Sequence, residues 1–336
     1  MTARARRRSG PIQLHIDNCS SYDQVFWVTP ERWAAAARRH RVLARRLQPW
    51  FAFDLDGFDE AMRSAELLIG WELPRKDLRA RAPRLRWVHF TGAGLEHLAP
   101  FDWVPEGVVL TNNSGVHGPK MAEYAEMAIL MVANRIPFHV TNQQQARWQQ
   151  FFPPPVAGKT LLIVGVGAMG AAAAARAKRL GLRVLGVRRT GKPHRHVDRM
   201  FRPDALDRLL PEADFVLVTA PLTPATRGLL GRRQLDLMKP EAGLINMGRA
   251  GIVDYDALAD KLTRGELSGA ILDVFDPEPL PATSPLWHTP NLVMTPHCSS
   301  DAPDYADRTL DLFFENFRRY LAGRHLRNEV DRALQY

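Results

Sequence analysis

Cysteine is scarce in this chain of 336 residues, which holds Cys19 and Cys298 and no others. Two thiols cannot build a disulfide framework and fit a reducing compartment, so a cytoplasmic protein is expected. Long apolar runs are missing too. The longest, Leu161 to Ala175, falls short of the roughly 20 residues that span a bilayer, and Gly165, Gly167 and Gly170 interrupt it, so no membrane span is expected. The basic start (Arg4, Arg6, Arg7, Arg8) lacks the following apolar region of roughly 7–15 residues that a secretory signal needs, and reads as a frayed arm, with a targeting peptide as the alternative. Lysine is nearly absent, at seven against 38 arginines, and the arginines are dispersed rather than interleaved with aromatics. That dispersal argues against a nucleic-acid stripe, while the net charge of +9 points to a smaller anionic partner, an acidic metabolite or a phosphorylated cofactor.

Hydrophobic residues make up 46% of the chain, enough for a full core, and a prior of about 150 residues per domain suggests two domains. In the first third, Ile12 to Ile16, Trp50 to Phe53, Leu67 to Trp71, Trp87 to Phe90 and Val108 to Thr111 read as strands, with helices expected over Pro30 to Leu47 and Phe58 to Ser64. This alternation predicts an α/β unit with a parallel sheet. Met121 to Arg135 reads as a long apolar helix, followed by a polar arm from Thr141 to Gln150.

Beyond Lys159 the pattern sharpens. Leu161 to Val164 is continuously apolar, as in a fully buried parallel strand; Gly165, Gly167 and Gly170 then spell G-x-G-x-x-G, and Met169 to Leu180 reads as a helix ended by Gly181. Strand, glycine turn and helix N-terminus together can hold a dinucleotide: the first glycine turns the chain, the second admits the pyrophosphate, and the third lets helix and strand approach. Arg183 to Val187, Phe215 to Thr219, Gly243 to Met247, Ala270 to Asp273 and Leu292 to Thr295 bring the count to six strands, the number of a doubly wound dinucleotide fold. The helix expected over Asp301 to Ala322, apolar at Leu310, Leu312, Phe313, Phe314, Phe317 and Leu321, is read as crossing back to the first domain.

Ligands of open α/β sheets bind beyond the carboxyl ends of the strands. Three consecutive ends here deliver Arg249, then Asp273 and Glu278, then His297. Singly, each has an ordinary structural explanation; jointly they describe a chemistry. An arginine fork grips a carboxylate and orients a neighbouring carbonyl, and a histidine beside a carboxylate gives or takes a hydroxyl proton. With a nicotinamide as hydride carrier, this is interconversion of 2-keto and 2-hydroxy acids. No motif asks for a metal.

On these residues the sequence resembles the D-2-hydroxyacid dehydrogenase family over nearly its whole length, through GVGAMG at Gly165 to Gly170, TAPLTPATRGLL at Thr219 to Leu230, LINMGRAGIVD at Leu244 to Asp254, GAILDVFDPEPLP at Gly269 to Pro281 and LVMTPH at Leu292 to His297. The resemblance implies two Rossmann-like or flavodoxin-like domains with doubly wound parallel sheets. The substrate domain would be discontinuous (1–117 and 304–336) and the dinucleotide domain would span 118–303. It implies Arg249 on the substrate carboxylate and keto oxygen, His297 as acid/base, Glu278 hydrogen-bonded to His297, and Asp273 helping to place Arg249. Gly92, Ala93 and Gly94 in TGAGLEHL would meet the substrate carboxylate through backbone N–H groups. Cofactor contacts would come from Gly165, Gly167, Ala168, Met169 and Gly170, from Ala220, Pro221 and Thr226, and from Met247, Gly248, Asp273, His297 and Ser299. Trp71 in LIGWELP, SPLW at Ser284 to Trp287 and the ending VDRALQY are similar to the glyoxylate/hydroxypyruvate reductase branch, with Trp71 lining a small polar pocket. Cys298, Ser299 and Ser300 depart from the family's usual spelling.

An NAD-selecting turn places an acid about 20 residues after the fingerprint. Here the strand is followed by Arg188, Arg189, Thr190, Gly191 and Lys192, a site for the 2′-phosphate of NADP where an acid would repel it. An NADPH-dependent reductase of glyoxylate, hydroxypyruvate or a close relative is therefore expected. The alternatives are a dinucleotide-sensing interaction protein of the corepressor type and an NAD-linked phosphoglycerate dehydrogenase. The family also implies a two-fold dimer, through the Met121 helix and the arm Thr141 to Phe152.

Overall fold

The computed structural model describes residues 10–334, so the basic arm expected at Arg4 to Arg8 lies outside the described residues. In chain order the first elements are β1 (Ile12–Asn18), α1 (Pro30–Arg39), α2 (Arg41–Ala44), β2 (Leu47–Phe53), α3 (Phe58–Met62), β3 (Leu67–Gly70), α4 (Leu78–Arg81), β4 (Trp87–Phe90) and β5 (Val109–Thr111). Next come α5 (Gly118–Ala133), α6 (Ile136–Gln144), β6 (Thr160–Val164), α7 (Ala168–Arg179), β7 (Arg183–Val187), β8 (Arg199–Phe201), α8 (Leu206–Leu209) and β9 (Phe215–Val218). The chain ends with α9 (Arg232–Asp236), β10 (Gly243–Asn246), α10 (Tyr255–Thr263), β11 (Gly269–Leu272), β12 (Leu292–Met294) and α11 (Tyr305–Leu321). Two compact units result, one running to His117 and resuming at Ala302, the other spanning Gly118 to Asp301.

The first unit is built on a five-stranded sheet in the order β2-β1-β3-β4-β5, with every pair parallel. That is a flavodoxin-type order, in which crossovers place helices on both faces. One face is covered from the far end of the chain: Ala306, Leu310, Phe313, Phe314 and Phe317 of α11 are fully buried against Leu14, Ile16, Trp33 and Trp87. Phe313 stacks on Trp87 at a centroid distance of 4.9 Å. The expected helix from Pro30 to Leu47 is two helices, because His40 (φ −116°, ψ 39°) leaves the helical region and Leu47 is drawn into β2. Pro49 is tolerated there because β2 is an edge strand, with no neighbour calling on its missing N–H.

The second unit carries a seven-stranded, wholly parallel sheet in the order β12-β11-β10-β9-β6-β7-β8. The chain winds one way from β6 through β8 and the other way from β9 through β12, so the switch point lies between β6 and β9. All of β6 is buried. The fully buried Ala173, Ala174 and Ala177 let α7 lie close to the strands.

Two expectations need correction here. The sheet has seven strands rather than six. The added β8 has three residues, paired with β7 at the sheet edge, and its part-exposed Arg-Met-Phe shows no period that sequence could reveal. The segment expected as an arm from Thr141 begins as the end of α6. Thr141 is buried there, donating its hydroxyl to Pro137 O at 3.1 Å and accepting Asn291 N–H at 2.7 Å, which pins the helix beside the turn entering β12.

Because Phe313 fills the interface of α11 with the first sheet, Phe313→Ala is expected to cost about 3–5 kcal/mol. Urea unfolding followed by tryptophan fluorescence checks this; an unchanged midpoint would refute it.

Candidate active site

The glycine turn is dictated by close approach. Gly165 has φ +103°, and a Cβ there would lie 2.4 Å from the Ala220 backbone; one on Gly170 would lie 2.5 Å from Gly165 O. The turn is tied down by Gly165 N–H to Val187 O at 2.9 Å and by the Thr219 hydroxyl to Gly165 O at 2.7 Å. A Cβ on Gly167, in contrast, meets nothing within 4 Å, so the space over the turn is open. Ala168, Met169 and Gly170 form the first turn of α7, whose N–H groups lack helical partners. A tight turn, open space and a helix N-terminus fit a dinucleotide pyrophosphate.

Beyond β7 the chain turns sharply. Gly191 (φ +62°) donates its N–H to Arg188 O at 3.0 Å, the Arg188 guanidinium donates to Pro193 O at 3.1 Å, and Lys192 N–H meets Thr190 Oγ1 at 3.3 Å. Arg189, Thr190 and Lys192 are exposed along this turn. The Asp198 carboxylate lies at the other end of β7, level with Val184, where it accepts Lys178 Nζ at 2.8 Å and Val184 N–H at 2.7 Å.

At the end of β10, the fully buried Asn246 shapes the loop that carries Arg249. Its Oδ1 accepts Gly248 N–H at 3.0 Å, and its Nδ2 donates to Arg249 O at 3.1 Å. After β11, Glu278 accepts Phe275 N–H at 2.7 Å through one oxygen and meets His297 Nδ1 at 2.7 Å through the other. After β12, His297 adopts φ +50°, a region costing a non-glycine residue about 1–3 kcal/mol. The turn is held from below by Asp273, whose buried carboxylate accepts Cys298 N–H at 3.0 Å, Ser299 N–H at 3.1 Å and the Thr295 hydroxyl at 2.6 Å. Thr295 gives its one hydroxyl hydrogen to Asp273, so the Tyr124 O–H 2.5 Å away must donate to Thr295. Burial pushes the Tyr124 pKa up to about 12, keeping that proton in place.

The chain that carries these residues has known relatives. The D-isomer specific 2-hydroxyacid dehydrogenase, NAD binding domain family matches residues 127–299. Glyoxylate/hydroxypyruvate reductase B of Pectobacterium carotovorum subsp. carotovorum (strain PC1) is 36% identical over 269 residues, 76% of this chain and 84% of that protein. The chain belongs to the D-isomer specific 2-hydroxyacid dehydrogenase family. A crystal structure of a family member from Xanthobacter autotrophicus Py2, in complex with NADPH and MES, superposes with a TM-score of 0.82 at 31% identity, covering 98% of this chain and all of that one. The NADPH-dependent glyoxylate/hydroxypyruvate reductase from Sinorhizobium meliloti, in complex with NADP and sulfate, gives a TM-score of 0.78 at 25% identity over 97% of this chain.

As a D-2-hydroxyacid dehydrogenase, the protein is an NAD(P)-dependent oxidoreductase. Of the residues singled out from sequence, Arg249, Asp273, Glu278 and His297 all follow strands β10 to β12 of the second unit. Met247, Asp273 and Ser299 are buried, as are Ala220 and Gly248. Pro221 is exposed, and Thr226 braces its own loop through a hydroxyl donated to Pro221 O at 2.7 Å. The Asp273 carboxylate accepts from Thr295, Cys298 and Ser299, which orders the His297 turn. In the first unit, Thr91 O accepts Asn113 Nδ2 at 2.7 Å, and Asn113 N–H donates to Gly92 O at 2.9 Å, fixing the loop of Gly92, Ala93 and Gly94. The six-membered ring of Trp71 lies so close over Gly92 that a Cβ there would sit 2.0 Å from it. Trp71 also donates its indole N–H to the Tyr22 hydroxyl at 3.1 Å. Tyr124, Asn246, Tyr255 and Thr295 were not identified from sequence; Asn246 and Thr295 stand inside quoted motifs, whereas Tyr124 and Tyr255 carry no signal of their own.

The charges of the pair follow from its surroundings. The hydrogen bond to Glu278 raises the His297 pKa above the ordinary histidine value; burial and Arg249 oppose this, and the Glu278 and Asp273 charges reinforce it. Burial works against the Glu278 carboxylate, but the hydrogen bonds from His297 and Phe275 and the His297 and Arg249 charges outweigh it and hold its pKa below the usual value. Glu278 is thus ionised and His297 Nδ1–H is the donor. Glu278→Gln is therefore expected to bring the His297 pKa down toward the ordinary value of about 6.5. An NMR titration of the His297 ring checks this, and an unchanged midpoint would refute it.

Proposed function

We propose that the protein reduces a small 2-keto acid, glyoxylate, hydroxypyruvate or a close relative, to the D-2-hydroxy acid, with NADPH preferred over NADH. The observation that carries this reading is the 2.7 Å hydrogen bond between His297 and Glu278, set among strand ends that also carry Arg249. When bound, the nicotinamide supplies the hydride to the keto carbon. His297, with Nδ1 engaged by Glu278, gives the proton from Nε2 to the developing alkoxide, and Glu278 stabilises its imidazolium before that transfer. The guanidinium of Arg249 grips the substrate carboxylate and polarises the keto oxygen. Gly92, Ala93 and Gly94 are assigned to the substrate carboxylate and Trp71 to the substrate's small substituent.

The cofactor preference is supported by Arg188, Arg189, Thr190 and Lys192 after β7, with no acid among residues 188–192. The two solved structures named above hold NADPH and NADP. The free thiols of Cys19 and Cys298 suit a reducing cytoplasm. We also propose a homodimer. It is supported by a groove along α5 and the start of α6, lined by Met127, Leu130, Met131 and Ile136 with Glu123, Glu126 and Asn134, and by Trp148 and Phe152 at 94% and 84% exposure.

Absorbance loss of NADPH with glyoxylate, hydroxypyruvate and pyruvate tests the activity; no oxidation with any 2-keto acid would overturn it. His297→Ala is expected to lose about 10²–10⁴-fold in kcat, and Arg249→Ala to lose kcat and raise KM together. Activity falls as pH rises through the elevated His297 pKa, because the protonated ring is the donor. Equal kcat/KM for NADH and NADPH would remove the cofactor preference. A monomer mass by light scattering would remove the dimer.

A further inference from the structure

Tyr255 opens α10, yet its hydroxyl reaches two other loops. It accepts Asn246 Nδ2 at 2.9 Å and donates to Val274 O at 2.8 Å. The first bond is part of a set: Asn246 also holds Gly248 N–H and Arg249 O, so its amide orientation sets the backbone from which the Arg249 side chain springs. The second bond matters through the peptide it fixes. Val274 C=O and Phe275 N–H belong to one planar trans unit and point oppositely. When Tyr255 anchors the carbonyl, the N–H is aimed at Glu278 Oε1, 2.7 Å away, and the other Glu278 oxygen holds His297. The Tyr255 ring packs edge-on to Phe275 at 6.3 Å, bracing the same peptide.

We infer that Tyr255 is a positioning residue for two groups at once, setting Arg249 through Asn246 and the Glu278–His297 pair through the Val274–Phe275 peptide. It touches no reacting atom. Its hydroxyl is mostly buried and keeps its proton, because burial pushes its pKa up, with the hydrogen bond from Asn246 opposing and the Glu278 and Asp273 charges adding. A neutral hydroxyl that donates once and accepts once joins a carbonyl to an amide N–H; a phenylalanine of the same shape leaves both without a partner. The inference rests on the 2-keto acid reduction proposed above, but half of it can be read without turnover.

The test is Tyr255→Phe, which keeps the ring and deletes one oxygen. Expected is a rise in KM for glyoxylate of about tenfold, with the Kd for NADPH within about twofold of wild type. By NMR titration the His297 pKa is expected to fall in Tyr255→Phe and to show no further fall when the substitution is added to Glu278→Gln, because the effect passes through Glu278. Unchanged KM and unchanged His297 pKa would overturn the inference. So would a pKa shift that persists in the Glu278→Gln background. A large loss of thermal stability accompanied by equal loss of nucleotide affinity would show a structural residue only and also overturn it. A wild type that reduces no 2-keto acid removes the functional reading, while the titration still decides whether Tyr255 governs His297; an active wild type with an unaffected Tyr255→Phe removes this inference alone.

Discussion

Parallel pairing is the constraint on which the rest depends. In a wholly parallel sheet every strand leaves by the same edge, so whatever follows β6, β7, β9, β10, β11 and β12 is delivered to one side of the second unit. The glycine turn, the basic turn, Arg249, Glu278 and His297 are five such followers. They are far apart in sequence and need no dedicated contacts to be gathered, because the sheet's hydrogen bonds gather them. The strands can remain buried and apolar while the chemistry is confined to the loops at their ends.

Loops alone would not hold side chains to the tolerance that proton transfer needs. The structure meets this with buried polar groups spent on backbone. Asp273 receives two N–H groups of the His297 turn and is itself tethered through Thr295 to Tyr124 on α5. Asn246 and Tyr255 do the same for the Arg249 and Glu278 loops. Each is a satisfied network in a dry place, where hydrogen bonds are strong and their loss is expensive. The left-handed backbone at His297 is the strained element that this network stabilises.

Charge is handled by placement rather than amount. The chain has an excess of arginine, yet the carboxylate at the working histidine is committed: Glu278 holds His297 with one oxygen and Phe275 N–H with the other. The turn after β7 is left basic, and the histidine is left with a partner that favours its protonated form.

The fold class and the main chemistry were legible because they are written locally. A buried apolar run, three glycines at fixed spacing and an alanine-rich helix specify one strand–turn–helix whatever else the chain does. The apolar face of α11, with Leu310, Phe313, Phe314 and Phe317, showed an amphipathic helix for the same reason. The three-residue edge strand β8 was not legible, since so short a segment has no period and takes its pairing from β7. Nor was the helical start of the expected arm, where Thr141 is fixed by Asn291, 150 residues later in the chain. The candidate site divides in the same way. Arg249, Glu278 and His297 stand out as charged residues just past apolar runs, whereas Tyr124, Thr295, Asn246 and Tyr255 acquire their parts only through partners on other strands. Sequence by itself determined the glycine turn, the residue types at the strand ends and the missing acid after β7. The tertiary structure alone decided which backbone groups hold them, because a hydrogen bond between loops exists only once the sheet has set those loops side by side.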